Sequence, residues 1–205
     1  MLRAIVRAMA DRYPVTWLMT DERLGDRLWA ALRALPPGSG VVFRHHATPP
    51  AERRAIHRRV WRIAKARRLM LLVAGGGLPG DGVHKAGRTT GVRSWSAHDR
   101  AEAIQGWKAG ADLLFVSPLY PTRSHPGAPA LGLARAARIG HGLGLPRIAL
   151  GGMDAARFRI LRGRFHGWAA IDAWGQHSSN RVRGSSCESS DDPTTISGGI
   201  GRCLR

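Results

Sequence analysis

The sequence predicts an α/β protein, a compact (β/α)₈ barrel with the TIM-barrel arrangement. Short apolar runs bounded by turn residues recur eight times, which is typical of strands buried on both faces. Most of these runs alternate with segments of helical apolar spacing, and this alternation predicts parallel strands joined by helices. Eight such units favour a closed barrel over an open doubly wound sheet.

The predicted strands are short and rich in apolar residues. The clearest of them, 113–116, reads Leu-Leu-Phe-Val and breaks at Ser117-Pro118. We predict strands at 15–20, 40–44, 69–73, 82–84, 92–96, 113–116, 146–150 and 168–171.

Apolar spacing and end signals predict the helices. Leu24 to Leu35 has helical spacing and is stopped by Pro36-Pro37-Gly38. Thr48 is the predicted N-cap of a helix that runs to Arg68, with prolines in its first turn. Further helices are predicted at 100–109, 133–142 and 154–161, and no long helix is expected on either side of the fourth strand.

Three segments follow from this pattern: a lead-in over 1–14, the barrel over 15–174 and a tail over 175–205. The tail is rich in Ser and Gly and lacks helical periodicity, so we predict an atypical, disordered C-terminal tail. No eighth helix is visible, so either the tail packs irregularly over the barrel bottom or the C-terminus differs from that of its relatives. Cys187 and Cys203 form no metal-binding spacing.

The chain is strongly basic, with 32 Lys and Arg against 14 Asp and Glu and a net charge of +18. The densest basic run lies on the helix predicted from Thr48. It is either a solvated helix face or a surface that attracts polyanions. Because no aromatic interleaving or zinc spacing accompanies it, we do not expect a nucleic-acid partner. No apolar run is long enough to span a membrane and the start is a poor signal peptide, so cytoplasm is the predicted location.

Polar and cationic residues follow several predicted strands, where barrels of this kind place their chemistry. Their order along the chain resembles that of the thiamine phosphate synthase and TenI-like superfamily. The matching segments are Trp17–Arg23, Asp81–His84, Ser96–His98, Ser117–Ser124 and Leu150–Met153.

The resemblance implies a barrel enzyme of thiamine biosynthesis that joins a pyrimidine diphosphate to a thiazole phosphate. It implies Mg²⁺ as cofactor and small phosphorylated pyrimidine and thiazole molecules as ligands, while a homo-oligomer is left open. The site residues carried over by position are Ser96 as catalytic and Arg44, His46, Thr122, Ser124, His125, Gly151, Gly152 and Ile171 as binding substrate or phosphate.

The departures from the family pattern concern charge. Ala74-Gly75 stand where the family has its magnesium-binding Asp, and Lys85-Ala86-Gly87-Arg88-Thr89 supplies no second carboxylate. His46 and His125 replace expected lysines, and Asp172 places an anion beside the phosphate loop. We therefore predict no metal ligands among these residues.

Three hypotheses stay open. The first is a divergent synthase. The second is a TenI-like thiazole tautomerase in which His98 moves a proton without metal, as an imidazole titrating near neutrality can do. The third is a non-catalytic barrel that binds a phosphorylated ligand. His98 could instead cap the following helix with Asp99, and His84 is predicted to be a hydrogen-bonded core residue.

Overall fold

Eight parallel strands form a closed barrel in the computed structural model, which describes residues 11–87, 90–122, 127, 129–161 and 163–174. Each strand pairs with the next, and the eighth pairs with the first, so the predicted (β/α)₈ fold is confirmed. The strands are β1 (Thr16–Met19), β2 (Gly40–Phe43), β3 (Met70–Ala74), β4 (Gly82–His84), β5 (Val92–Ala97), β6 (Leu113–Val116), β7 (Arg147–Leu150) and β8 (Gly167–Ala170).

Five α-helices among the described residues cover the outside of the barrel. They are α1 (Arg27–Ala34), α2 (Pro50–Ala66), α3 (Arg100–Lys108), α4 (Gly132–Arg138) and α5 (Ala155–Leu161), and a 3₁₀ turn (Glu22–Leu24) precedes α1. As expected, the described residues on either side of β4 form no helix.

Several helix ends differ from the predictions. Pro49, not Thr48, occupies the N-cap of α2 and makes no side-chain cap hydrogen bond. Proline has no backbone N–H group, so the start of this helix has one fewer donor that needs a hydrogen-bond partner. The first helix begins at Arg27 because Gly25 adopts a positive φ of 48°. Helix α4 ends at Arg138, just before positive-φ Gly140.

Several predictions lie outside the described residues. These are the disorder of the tail 175–205, most of the lead-in, and the positions of Arg88, Arg123, Ser124 and His125. The domain limits therefore stay predictions. Among the described residues, no helix is both long and apolar enough to cross a membrane.

Trp17 fills the barrel interior. Its side chain is fully buried, its Nε1 donates to the Pro14 carbonyl at 2.6 Å, and its ring meets Phe115 edge-on at 5.3 Å between centroids. The neighbouring strands place the small residues Gly40 and Ala169 in register with it. Small residues beside the indole leave room for it in a closely packed core.

Gly40→Ala should destabilise the protein, because a Cβ at this position would overlap the indole of Trp17. Overpacking of a rigid core typically costs roughly 1–3 kcal/mol. We expect a lower midpoint in urea unfolding followed by circular dichroism.

Gly87→Ala is the matched control, since a Cβ there would meet no atom within 4 Å and the residue does not adopt a positive φ. Equal stability of the Gly40 variant and the wild type would contradict the packing of Trp17 described above.

Candidate functional site at the barrel mouth

The carboxyl ends of the strands bring most of the predicted site residues to one face of the barrel. Arg44 and His46 follow β2, while Ser96 lies in the last two residues of β5 and His98 comes directly after that strand. The others follow β6, β7 and β8, at Thr122, Gly151, Gly152 and Ile171.

A buried hydrogen-bonded chain connects the barrel interior to this mouth. The ring of His84 is held at both nitrogens, with Nδ1 2.9 Å from Ser94 Oγ and Nε2 2.9 Å from Ser96 Oγ. His84 is only 4% exposed and meets Phe115 edge-on at 5.5 Å. The prediction of His84 as a hydrogen-bonded core residue agrees with this position, but sequence reasoning missed its contact with Ser96.

Burial keeps His84 uncharged. Loss of solvation, together with the positive charges of Arg44, Lys85 and His46, lowers the pKa of His84 from 6.5 to about 3. At neutral pH the ring is therefore an uncharged partner that carries one proton.

Arg44 is anchored rather than free. Its Nε donates to the Thr20 carbonyl at 2.9 Å, and one terminal nitrogen lies 2.9 Å from Asp21 Oδ2. Burial lowers the pKa of Arg44, against the opposing effect of Asp21 and Glu22, yet a guanidinium remains charged at neutral pH. Thr20 also accepts the Arg44 N–H and contacts His45, so β1 and β2 together fix this cation.

Lys85 and His46 are exposed cationic or titratable groups on the neighbouring loops. Lys85 adopts a left-handed backbone (φ 48°), and its N–H donates to the Ser94 carbonyl at 3.0 Å. This backbone bond fixes the residue directly after His84 beside β5. Arg44 and Lys85, here called the mouth cations, thus come from two loops, and His46 lies on the first of these loops.

His98 lies at the start of α3, half exposed. Its Nδ1 is 2.9 Å from Glu102 Oε2, and Asp99 caps the helix through its side chain by accepting from the Glu102 N–H at 2.8 Å. The cap therefore belongs to Asp99, while Glu102 orients the His98 ring. Nε2 has no hydrogen-bond partner among the described residues.

The loops after β6, β7 and β8 enclose a cavity of about 580 Å³ lined by Thr122, Gly151, Gly152, Ile171 and Asp172, among others. A Cβ on Gly151 would approach the Pro118 Cα to 2.7 Å, and both glycines have positive φ values, 94° and 59°. Glycine is thus required for this turn to pack against the β6 loop.

Charge within this cavity is mixed. Asp154 and Asp172 line it together with Arg157, which stacks over Tyr120 at 4.7 Å and donates to the Gly152 carbonyl. Asp172 lines the cavity, so the expected anion beside this loop is present. Asp154 adds a second carboxylate. Asp154 Oδ1 already accepts the Arg157 N–H at 2.8 Å.

The donor set of the described residues does not fit Mg²⁺, which prefers carboxylate oxygens. The ends of β3 and β4 carry Ala74, Gly75 and Lys85. Asp21 is occupied by Arg23 and Arg44, and Glu22 accepts the Ala47 N–H at 2.8 Å. No group of three or more possible metal ligands occurs among the described residues.

Comparisons with known proteins find similarity to thiamine-phosphate synthases over part of the chain. The model of the family described as thiamine monophosphate synthase, TMP-TENI, matches residues 81–173. A thiamine-phosphate synthase of Desulfitobacterium hafniense is 38% identical over 72 residues, 35% of each chain. One from Mycolicibacterium paratuberculosis is 44% identical over 64 residues, 30% of this chain and 28% of that protein. Residues 81–173 are therefore similar to the thiamine monophosphate synthase family.

The matched segment spans about a third of the length of these curated relatives. The fold comparison extends further. Thiamine phosphate pyrophosphorylase from Pyrococcus furiosus superposes with a TM-score of 0.66 at 20% identity, covering 80% of this chain and 87% of that one. An HpcH/HpaI aldolase/citrate lyase family protein from Burkholderia cenocepacia gives a TM-score of 0.55 at 14% identity, covering 82% and 93%. Both likenesses concern the fold alone.

Acid should destabilise the protein through His84. Below about pH 6.5 the unfolded chain protonates this imidazole, whereas the folded chain does so only near pH 3. Between these values the unfolded state binds more protons, so stability falls as pH falls, by at most roughly 1.4 kcal/mol per pH unit. We expect His84→Gln to lower stability at neutral pH but to flatten this decline, measured by urea unfolding across the window.

The exposed His141→Ala serves as control and should keep the wild-type slope. If the free energy of unfolding fell equally steeply with falling pH in the wild type and the His84 variant, His84 would titrate as a solvated histidine.

Proposed function

We propose that this chain is an enzyme of thiamine biosynthesis that joins a pyrimidine diphosphate to a thiazole phosphate at the barrel mouth. The observation that carries the proposal is the position of the mouth cations close enough to His84 to lower its pKa, while His84 itself contacts Ser96. When the pyrimidine loses its diphosphate, negative charge grows on the departing oxygens. Fixed cations at that place stabilise the transition state more than the ground state.

Ser96 has a donor role in this proposal. We assign the single proton of His84 to Nε2, so that the ring donates to Ser96 Oγ and leaves the hydroxyl hydrogen for a substrate oxygen. Ser94 then donates to Nδ1, in keeping with the long 3.4 Å separation between its Oγ and the Val83 carbonyl. His84 is thus a positioning residue, and Ser96 contacts substrate.

The thiazole phosphate is assigned to the cavity beside Gly151 and Gly152. The backbone can approach an anion there because no side chain intervenes. Thr122 and Ile171 lie on the same rim and supply a hydroxyl and a backbone group. Ser124 and His125 are proposed to complete the anion site from the loop after β6.

No step is assigned to a metal, because the described donors do not fit Mg²⁺. Arg44 is already positively charged and anchored. Together with Lys85, it is proposed to balance the negative charge of the departing diphosphate without a bound metal ion. The proposal therefore expects product formation to persist when divalent cations are chelated.

A second function is supported by a different observation. His98 is oriented by Glu102 through Nδ1 and keeps Nε2 without a described partner, as suits a general acid or base. Thiazole tautomerisation moves one proton and releases no diphosphate. It therefore does not need the magnesium-binding carboxylates that the family has after β3 and β4.

Purified protein with pyrimidine diphosphate and thiazole phosphate should form thiamine phosphate, detected as thiochrome fluorescence, with and without EDTA. Arg44→Gln should lower the rate about 10²-fold, the usual scale for losing one charge-stabilising donor. Arg159→Gln, an exposed arginine on α5, is the matched control and should act like the wild type. Thermal unfolding of both variants checks the fold, since Arg44 also contacts Thr20 and Asp21.

If product appeared only with magnesium, the expectation of a metal-independent reaction would be wrong, but the proposed synthase activity would stand. No product under either condition would remove the synthase. Binding of thiazole phosphate without any conversion would then indicate a non-catalytic barrel.

Tautomerase activity, if present, should depend on His98. We expect His98→Ala to abolish proton exchange on a thiazole carboxylate phosphate, followed by NMR in deuterated buffer. His141→Ala removes another exposed histidine and should leave the exchange rate unchanged. Exchange that survives in the His98 variant would exclude this residue as the proton carrier.

A further inference from the structure

The outer face of α2 carries a row of exposed guanidinium groups. Arg54, Arg58 and Arg62 follow each other at intervals of four residues, so they share one face of the helix and rise about 6 Å at each step. All three are exposed, and none has an ion pair or hydrogen bond among the described residues. This set is called the α2 arginine row below.

Other cations of the same helix are differently engaged. Arg59 lies over the Trp29 ring at 3.9 Å, and Lys65 pairs with Asp81 at 3.0 Å while lying 4.3 Å from the Trp61 ring centre. The aromatic neighbours that the sequence spacing did not reveal are therefore present in three dimensions. The arginine row has no carboxylate partner among the described residues.

An apolar groove runs along the arginine row. A cavity of about 630 Å³ is lined by the three arginines and by His57, Trp61, Leu78 and Pro79. His57 is buried in its floor, where Nε2 lies 2.8 Å from the Pro79 carbonyl. The groove is thus lined both by guanidinium groups and by ring-bearing and apolar side chains.

A second cavity, of about 340 Å³, shares Arg54 and Leu78 with the first and continues towards the barrel mouth. It adds Arg53, His46 and the turn Gly75–Gly77 to the lining. The basic surface is consequently longer than a single small anion requires.

We propose that the α2 arginine row and its groove bind single-stranded nucleic acid. A strand of this kind offers a line of phosphates next to flat apolar bases, and such binding combines a cationic track with stacking surfaces. A bare polyphosphate chain would use the arginines but not the apolar wall. A second copy of the chain would oppose one basic face with another, at a net charge of +18 each.

A lipid surface fits less well. The exposed large apolar side chains of the described residues are Val15, Trp107 and Ile160, and none of them lies on α2. Without apolar groups to insert, the helix has only charge to offer a bilayer. The nucleic-acid proposal reverses the expectation drawn from sequence, and it is independent of any synthase activity.

The test is fluorescence anisotropy of a labelled 20-mer of deoxythymidine titrated with full-length protein over a range of salt. Arg54→Gln/Arg58→Gln/Arg62→Gln should weaken binding at least about tenfold at low salt. It should also reduce the salt slope by about 2, since each lost phosphate contact on a single strand accounts for roughly 0.7. Circular dichroism verifies that the variant folds.

The matched control is Arg135→Gln/Arg159→Gln/Arg164→Gln, which removes the same charge from exposed sites elsewhere on the barrel. We expect its affinity to stay within about threefold of the wild type and its salt slope to change little, because it touches no groove contact. Equal weakening in both triple variants would mean that net charge alone drives binding, and the proposal would fall.

Trp61→Leu separates nucleic acid from other polyanions. It should weaken oligonucleotide binding severalfold, because a base would lose its aromatic neighbour, and leave binding of inorganic polyphosphate unchanged. Equal affinity of the leucine variant and the wild type for the oligonucleotide would instead assign the groove to a phosphate chain. Binding of anionic vesicles in preference to the oligonucleotide would assign it to a membrane surface.

Discussion

The contact of Phe115 with Trp17 on one side and His84 on the other joins the packing of this barrel to its chemistry. Trp17 occupies the interior, Phe115 rests against it, and His84 lies edge-on to Phe115. A close-packed core tolerates little change in volume, so the position of the imidazole follows from the position of the indole. The Ser96 hydroxyl at the mouth is thus held by rings that begin deep in the barrel.

The same packing explains why an uncharged histidine lies among cations. Burial lowers the pKa of His84 more than any neighbour does, and the mouth cations add to the effect. A protonated ring there would repel Arg44 and Lys85, whereas the uncharged ring tolerates them and still offers two hydrogen-bonding nitrogens. The site thereby concentrates positive charge around a neutral hydrogen-bonding pair, an arrangement suited to an incoming anion.

Charge is distributed unevenly over the rest of the molecule as well. Arg44 and Arg157 are tied to backbone carbonyls and carboxylates near the mouth, while the α2 arginine row has no such partners in the part of the chain that the structure describes. Anchored cations lose little further freedom when an anion binds, since their geometry is already set. Unpaired cations on an exposed helix suit a long, salt-sensitive ligand. The protein therefore presents two different basic surfaces, which sequence composition alone merges into one net charge.

The strand count, the helix spacing and the ordered motifs were determined by the sequence, because apolar periodicity is local and survives without knowledge of packing. The resemblance to thiamine phosphate synthases rested on those motifs, and the shortage of carboxylates after β3 and β4 was also visible in the sequence. Only the tertiary structure decided that His84 holds Ser96, that Glu102 orients His98, and that Trp29 lies beneath Arg59. These contacts join residues on different elements or different turns, and their distances depend on strand register and side-chain direction, which a linear pattern does not contain.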